Sequence, residues 1–181
     1  MPFSLTSLYN LLCEFEIPIR LWGQERAKTI EDLYKEVMRG ESMLEVFGDK
    51  ILRKTKSVRM WVRDSMRRNG YLLEFGKHFS DGRYRERKQL PAQKIMGAEL
   101  PNDALVRVIS EKLHLEKTHY ESFCDYCASG TAESRSYPGL TTHYSIHNFK
   151  VSLNVPDDSL LTKDTFEIVE ADGTRQVFKW Q

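Results

Sequence analysis

Val58, Met60 and Val62 alternate with Arg59, Trp61 and Arg63, and this period of two constrains the fold more than any other feature of the chain. Successive strand side chains point to opposite faces, so the pattern predicts a strand with an apolar inward face and a basic outward one. Turn signals surround it. Gly48-Asp49 separates the apolar runs 43–47 and 51–53. Arg68-Asn69-Gly70 leads into a returning strand over 71–79, because Asn-Gly accepts the positive φ angles of a tight hairpin. Asp81-Gly82 marks the next turn, after which Arg83, Arg85 and Arg87 share one strand face. Further on, 140–153 predicts a strand whose phase breaks near His147-Asn148, a place for a bulge. Residues 165–170 and 176–180, around Ala171-Asp172-Gly173, predict a closing hairpin. The polar stretch 118–136 reads as a long loop.

Helices precede and interrupt these strands. Leu5, Leu8, Leu12 and Phe15 follow helical spacing from a Ser4 cap, and Pro18 ends the run. Thr29 with Asp32 three residues on is a capping-box start for a second helix, with Ile30, Leu33 and Val37 as its apolar stripe and Gly40 as its stop. Pro101 and Asn102 open a third, in which Leu105, Ile109 and Leu113 form the apolar side and Arg107, Glu111 and His114 a charged one. The organisation expected is a helical extension over residues 1–41 packed on a core domain over 42–181.

With 181 residues, 40% of them hydrophobic, the chain has material for an α/β core and is not of disordered composition. No apolar run approaches the roughly 20 residues needed to cross a bilayer, and the first residues carry neither a basic start nor a small-residue cleavage site. Three cysteines, an odd number, argue against a disulfide framework and for the cytoplasm or another reducing compartment. The net charge of +1 conceals a basic segment: residues 51–90 hold twelve Lys/Arg against four Asp/Glu. Such a segment either faces an anionic partner or solubilises exposed strands.

The stretch from Gln93 to Leu115, QKIMGAELPNDALVRVISEKLHL, resembles the Nudix box, G-x5-E-x7-R-E-U-x-E-E-x-G-U with U aliphatic. Glu99, Arg107, Ile109, Glu111 and Leu115 match; Gln93 and His114 stand at the two glycine positions, and Val108 and Lys112 at two of the glutamates. The flanks DGRYRERKQLPAQKIMGAE, SRSYPGLTTHYSIHNFKV and IPIRLWGQERAKTIEDLYKEV also look like a subgroup of Nudix proteins. The resemblance implies an α/β fold, a Nudix-like mixed β-sheet sandwiched between helices, with the N-terminal helices added. It also implies hydrolysis of a diphosphate joined to another moiety. Divalent cations would be held by box glutamates that the arginine orients.

Val108 cannot ligate a cation, and Lys112 repels one by roughly 4 kcal/mol per unit pair at about 4 Å and an effective dielectric near 20. The expectation is therefore a degenerate box and a pseudoenzyme. It would be a non-hydrolytic binding or protein-interaction module, taking a phosphate-containing or nucleotide ligand or a protein partner through the N-terminal helices. Lys112, pairing with Glu111 or Glu99, would join Arg83, Arg85, Arg87 and Lys88 in an anion pocket. No cofactor is expected. The alternative is a divergent hydrolase of a nucleoside diphosphate derivative, with Glu111 and Arg107 catalytic and Glu99 and Glu111 holding Mg or Mn. A competing pattern, Cys124-x2-Cys127 then His143-x3-His147, has zinc-finger-like spacing. Histidines four apart on a strand lie about 13 Å apart, so a shared zinc needs a bulge. Nucleic-acid binding through Trp61, Tyr71 and Tyr84 and a serine nucleophile at Ser110, Ser134 or Ser136 have weaker sequence support, and nothing points to a membrane.

Overall fold

The computed structural model describes residues 3–64, 70–156, 158–170 and 172–181. Among them the elements run α1 (Leu5–Glu14), α2 (Ile30–Met38), β1 (Met43–Phe47), β2 (Lys50–Arg63), β3 (Leu72–His78), β4 (Tyr84–Gln89), β5 (Ala92–Lys94), α3 (Pro101–Leu113), β6 (Tyr120–Glu133), β7 (Thr141–Leu153), β8 (Thr165–Val169) and β9 (Arg175–Trp180). The α/β class follows from the helical and period-two patterns as expected. The strands form two sheets, one in the order β1-β2-β7-β6 with β5 also on β2, the other β4-β3-β9-β8. The pairs β1–β2, β3–β4, β3–β9 and β8–β9 are antiparallel.

Local chemistry sets the helix starts. Ser4 caps α1 through a reciprocal box with Ser7, and Thr29 caps α2 through one with Asp32. Gly40 follows α2 at φ 70°, the left-handed stop that glycine takes at little cost. At α3 Asn102, read with Pro101 as the helix opening, lies inside the helix and is not its cap. Leu100 occupies the cap position without a side-chain bond, and Pro101 opens the helix, where its missing N–H costs nothing.

Two strand expectations change. The hairpin joining the Val58–Val62 alternation to the next strand is not formed among the described residues: β2 and β3 lie in different sheets, and Arg68-Asn69 falls outside the described residues. The stretch read as a loop over 118–136 is the long strand β6. β6 ends its sheet order and is exposed on nearly every residue, so neither face imposes the apolar alternation that marks a strand. The phase break expected in β7 is present in its burial: Thr142 is buried, then adjacent Asn148 and Phe149, then Val151 and Leu153.

The chain divides into two compact units: residues 1–57, 94–99 and 128–146 form unit 1, and residues 58–93, 100–127 and 147–181 form unit 2. In unit 1, α1 and α2 bury Leu8, Leu12 and Leu33 with Trp22, Ile51, Tyr137 and Leu140. The Trp22 indole donates to the Pro138 carbonyl at 2.9 Å, tying the chain between the helices to the Tyr137-Pro138-Gly139 turn. In unit 2, α3 buries Ala104, Leu105, Val108, Ile109 and Leu113. The closing hairpin stacks Phe166 on Phe178, 5.3 Å between ring centres.

Candidate functional site

Glu74 organises the site of unit 2. The inward parity of β3 runs Leu72, Glu74, Gly76, so a carboxylate occupies a core-facing position and is fully buried. A buried carboxylate is stable only when paired and hydrogen-bonded. Lys112 of α3 donates to its Oε1, and Arg87 Nη1 and Gln89 Nε2 of β4 donate to its Oε2 at 3.1 and 3.3 Å. Two cations meet one carboxylate. The strand geometry makes this double approach possible: between Glu74 and Gly76 the register of β3 shifts against both β4 and β9, and Lys88 takes a left-handed φ of 48°.

Above this triad lies a cleft of about 530 Å³, bordered by Arg87, Lys112, Glu111, His114, Lys77 and Gln176. Gln176, only 2% exposed, borders this cleft as well. Lys77 and Glu170 neutralise one another at 2.7 Å on the opposite wall. Glu111 is more than half exposed and accepts from Arg107 Nη1 at 3.2 Å, one helical turn away. The cleft thus presents surplus positive charge on its floor, with amides and one open carboxylate around it.

The sequence-derived residues distribute as follows. Lys112 and Arg87 come together, but the partner of Lys112 is Glu74 and not Glu111 or Glu99. Arg83 pairs with Asp81 at 2.6 Å and Lys88 with Glu86 at 2.8 Å, both on the exposed turn and strand, and Arg85 faces solvent. These three do not border the cleft: a regular alternation would keep Arg85 on the side of Arg87, but the register shift opposite Glu74/Gly76 and the left-handed Lys88 break it. The Asp81 carboxyl is held below the usual range by the Arg83 guanidinium and the Arg83 N–H. Glu99, in unit 1, accepts from the Met96 N–H at 3.0 Å, whereas Glu111 belongs to unit 2.

Neither implied metal site fits the residues present. Val108 is fully buried in the apolar face of α3, and Lys112 is committed to Glu74. On α3 this leaves Glu111 as the carboxylate that borders the cleft. Cys124 and Cys127 are exposed and in no disulfide, and His143 Nδ1 is hydrogen-bonded to Thr131 Oγ1 at 3.1 Å. Three-residue spacing on a strand sends the two thiols to opposite faces. Among the described residues no three His, Cys, Asp or Glu side chains gather as a cation site. Ser134, one of the serines considered, is buried and accepts from the Tyr137 N–H.

Two clusters escaped sequence reading. Glu74 is the first; its signal is a charged residue at the inward parity of an apolar strand. The second is Glu36 in unit 1, which falls on the Ile30–Leu33–Val37 side of α2. Its carboxylate accepts from Lys28 at 2.7 Å, Ser42 Oγ at 2.8 Å and Arg53 Nη2 at 2.8 Å, and lies 2.6 Å from Lys94. Burial raises the Glu36 pKa, but Lys94, Lys28 and Arg53 outweigh it and hold the group far below the usual carboxylate range. Burial, then the Glu36 charge, pushes the neighbouring Tyr137 phenol well above its ordinary value. Lys94 is lowered by burial against the pull of Glu36.

No family model matches the sequence, and no curated protein matches it. Among solved structures, a C. elegans Ap4A hydrolase in a binary complex is similar at a TM-score of 0.41 and 17% identity, covering 69% of this chain and 77% of that one. Another structure of C. elegans Ap4A hydrolase gives 0.37 and 16% over the same shares. An ADP compounds hydrolase gives 0.33 and 10%, covering 77% of this chain and 68% of that one. At such scores the likeness assigns neither family nor substrate.

Proposed function

We propose that the unit 2 cleft binds a small phosphate-bearing molecule of the nucleoside diphosphate kind. The observation that carries this reading is the buried Glu74 holding two cations, Lys112 and Arg87, at the cleft floor. One carboxylate neutralises only one of them. The remaining positive charge sits where water is scarce, and charge-assisted bonds to a phosphate are its natural complement. Gln176 and Gln93, both bordering the cleft, supply hydrogen bonds to a polar moiety beyond the phosphate. Calorimetry with ADP, ADP-ribose and a dinucleoside polyphosphate in EDTA tests the reading. Binding that persists in chelator and weakens about tenfold or more in Arg87→Gln, with the melting temperature monitored, supports it. Absence of binding, or binding that requires a divalent cation, refutes it.

A second reading is favoured by Glu111, an open carboxylate at the cleft rim steadied by Arg107, the two charged positions at which the Nudix resemblance holds on this helix. In that reading the bound diphosphate derivative is hydrolysed. Turnover of the same compounds with Mg or Mn, abolished by Glu111→Gln, establishes it; binding without turnover under those conditions removes it.

A further inference from the structure

We infer that His114 is a ligand-binding residue of the unit 2 cleft, its imidazole meeting a phosphate oxygen, an inference that rests on the cleft reading proposed above. His114 ends α3 and borders the cleft. Its backbone is left-handed, with φ 52° and ψ 36°, and its N–H donates to the Ser110 carbonyl. Helices commonly end on a residue in this conformation, but that residue is usually glycine, sometimes asparagine, because a larger side chain crowds the backbone there. Four residues other than glycine take a left-handed φ among the described ones, Glu16, Glu25, Lys88 and His114, and of these His114 is the one that borders the unit 2 cleft. Strain of this kind persists where the surroundings offset it, and it gathers at ligand sites.

Internal contacts do not account for the ring. It is exposed, and its imidazole has no hydrogen-bond or ion-pair partner among the described residues. The other basic groups around the cleft are all held by carboxylates, Arg87 and Lys112 by Glu74 and Lys77 by Glu170. Glu111, the open carboxylate beside them, accepts from Arg107. Among the described residues His114 is thus the basic side chain at the cleft that no carboxylate engages. Its place on α3 adds a second reason. The last carbonyls of a helix carry partial negative charge, which opposes an anion and favours a cation at that end. Lys112, the basic residue of the last turn, is committed to Glu74. His114 is left to offset those carbonyls for a phosphate in the cleft. A neutral imidazole donates one hydrogen bond to a phosphate oxygen, and an imidazolium makes that bond charge-assisted. Glycine or asparagine would suit the backbone but could supply no cation.

Calorimetric titration of ADP into the full chain, in EDTA and at one fixed pH, tests the assignment, with Arg87→Gln as the reference variant. His114→Gly is expected to weaken ADP by about tenfold while its melting temperature holds or rises, a combination that damage to the fold does not give. His114→Lys, which returns a cation to the end of α3, is expected within about threefold of wild type, and His114→Glu below His114→Gly. The imidazole resonances of His114 in proton–nitrogen spectra should move as ADP saturates the protein. ADP affinity that falls in Arg87→Gln but is unchanged in His114→Gly overturns the role of His114 alone and leaves the cleft reading in place. No binding of ADP to the wild type overturns both. A loss in His114→Gly that tracks a lower melting temperature and is not recovered in His114→Lys would assign the residue to structure and overturn the inference as well.

Discussion

Lys112 meets Glu74 where neither charge is well hydrated, with side-chain exposures of 11% and 0%. Removing one member of such a pair strands the other, which typically costs about 3–5 kcal/mol, whereas replacing both by apolar groups is often neutral. Lys112→Met is therefore expected to lower unfolding free energy by about 3 kcal/mol in urea melts. Adding Glu74→Met to that variant recovers part of the loss, an interaction read from the double-mutant cycle. Glu36 makes the complementary statement about pH. Its folded pKa is depressed, so its contribution to stability is fully present above the unfolded carboxylate value of about 4.3 and fades as pH falls below it. Unfolding free energy measured from pH 7 to pH 3 should drop steeply below about pH 5 in the wild type. Glu36→Gln, less stable at pH 7, should give a visibly flatter curve over the same window. An unchanged slope would mean that Lys28, Arg53 and Lys94 do not depend on that carboxylate.

At the scale of elements, backbone sign decides more than side-chain type. His114 ends α3 in the left-handed region at φ 52°, the position at which the Nudix pattern has glycine. A residue with a Cβ pays about 1 kcal/mol there. His114→Gly is expected to raise thermal stability by up to about that amount, and a loss would show that the imidazole contributes more than the strain it imposes. Gly40 and Gly48 both have positive φ, at 70° and 57°, but their surroundings differ. A Cβ on Gly40 would sit 2.5 Å from the Gly97 backbone, while one on Gly48 meets nothing within 4 Å. Gly48→Ala should cost about 1 kcal/mol of backbone strain, and Gly40→Ala distinctly more, in parallel denaturation curves. Equal costs would contradict the packing of the α2 stop against the 94–99 segment.

At the scale of the whole molecule, the units differ in how much of them was legible. The helices of unit 1 followed from caps and spacing, because capping is a contact over three residues that the sequence spells out. The partners of Glu36 come from four separate segments and carry no local signal. β6 went unread for a related reason: at the end of its sheet order it buries almost nothing, and burial is what writes alternation into a strand. Its exposure also bears on the thiols. Cys13, Cys124 and Cys127 are all exposed and unbridged, so all three should react with a thiol reagent in the native protein without denaturant. Protection of Cys124 and Cys127 that chelation relieves would reinstate the zinc pattern. No helix among the described residues is long and apolar enough to cross a membrane.

The amino-acid sequence alone determined the α/β class, the starts of α1 and α2, the tight turn at Gly48-Asp49, and the apolar faces of β2 and α3. Each is a property of residues within a few positions of one another, where spacing translates directly into facing. Only the tertiary structure decided that Lys112 answers to Glu74, that Arg87 joins it while Arg83, Arg85 and Lys88 do not, and that three basic residues converge on Glu36. Those outcomes depend on which strand lies beside which and in what register. Register is fixed by the collective burial of many side chains, not by any one of them.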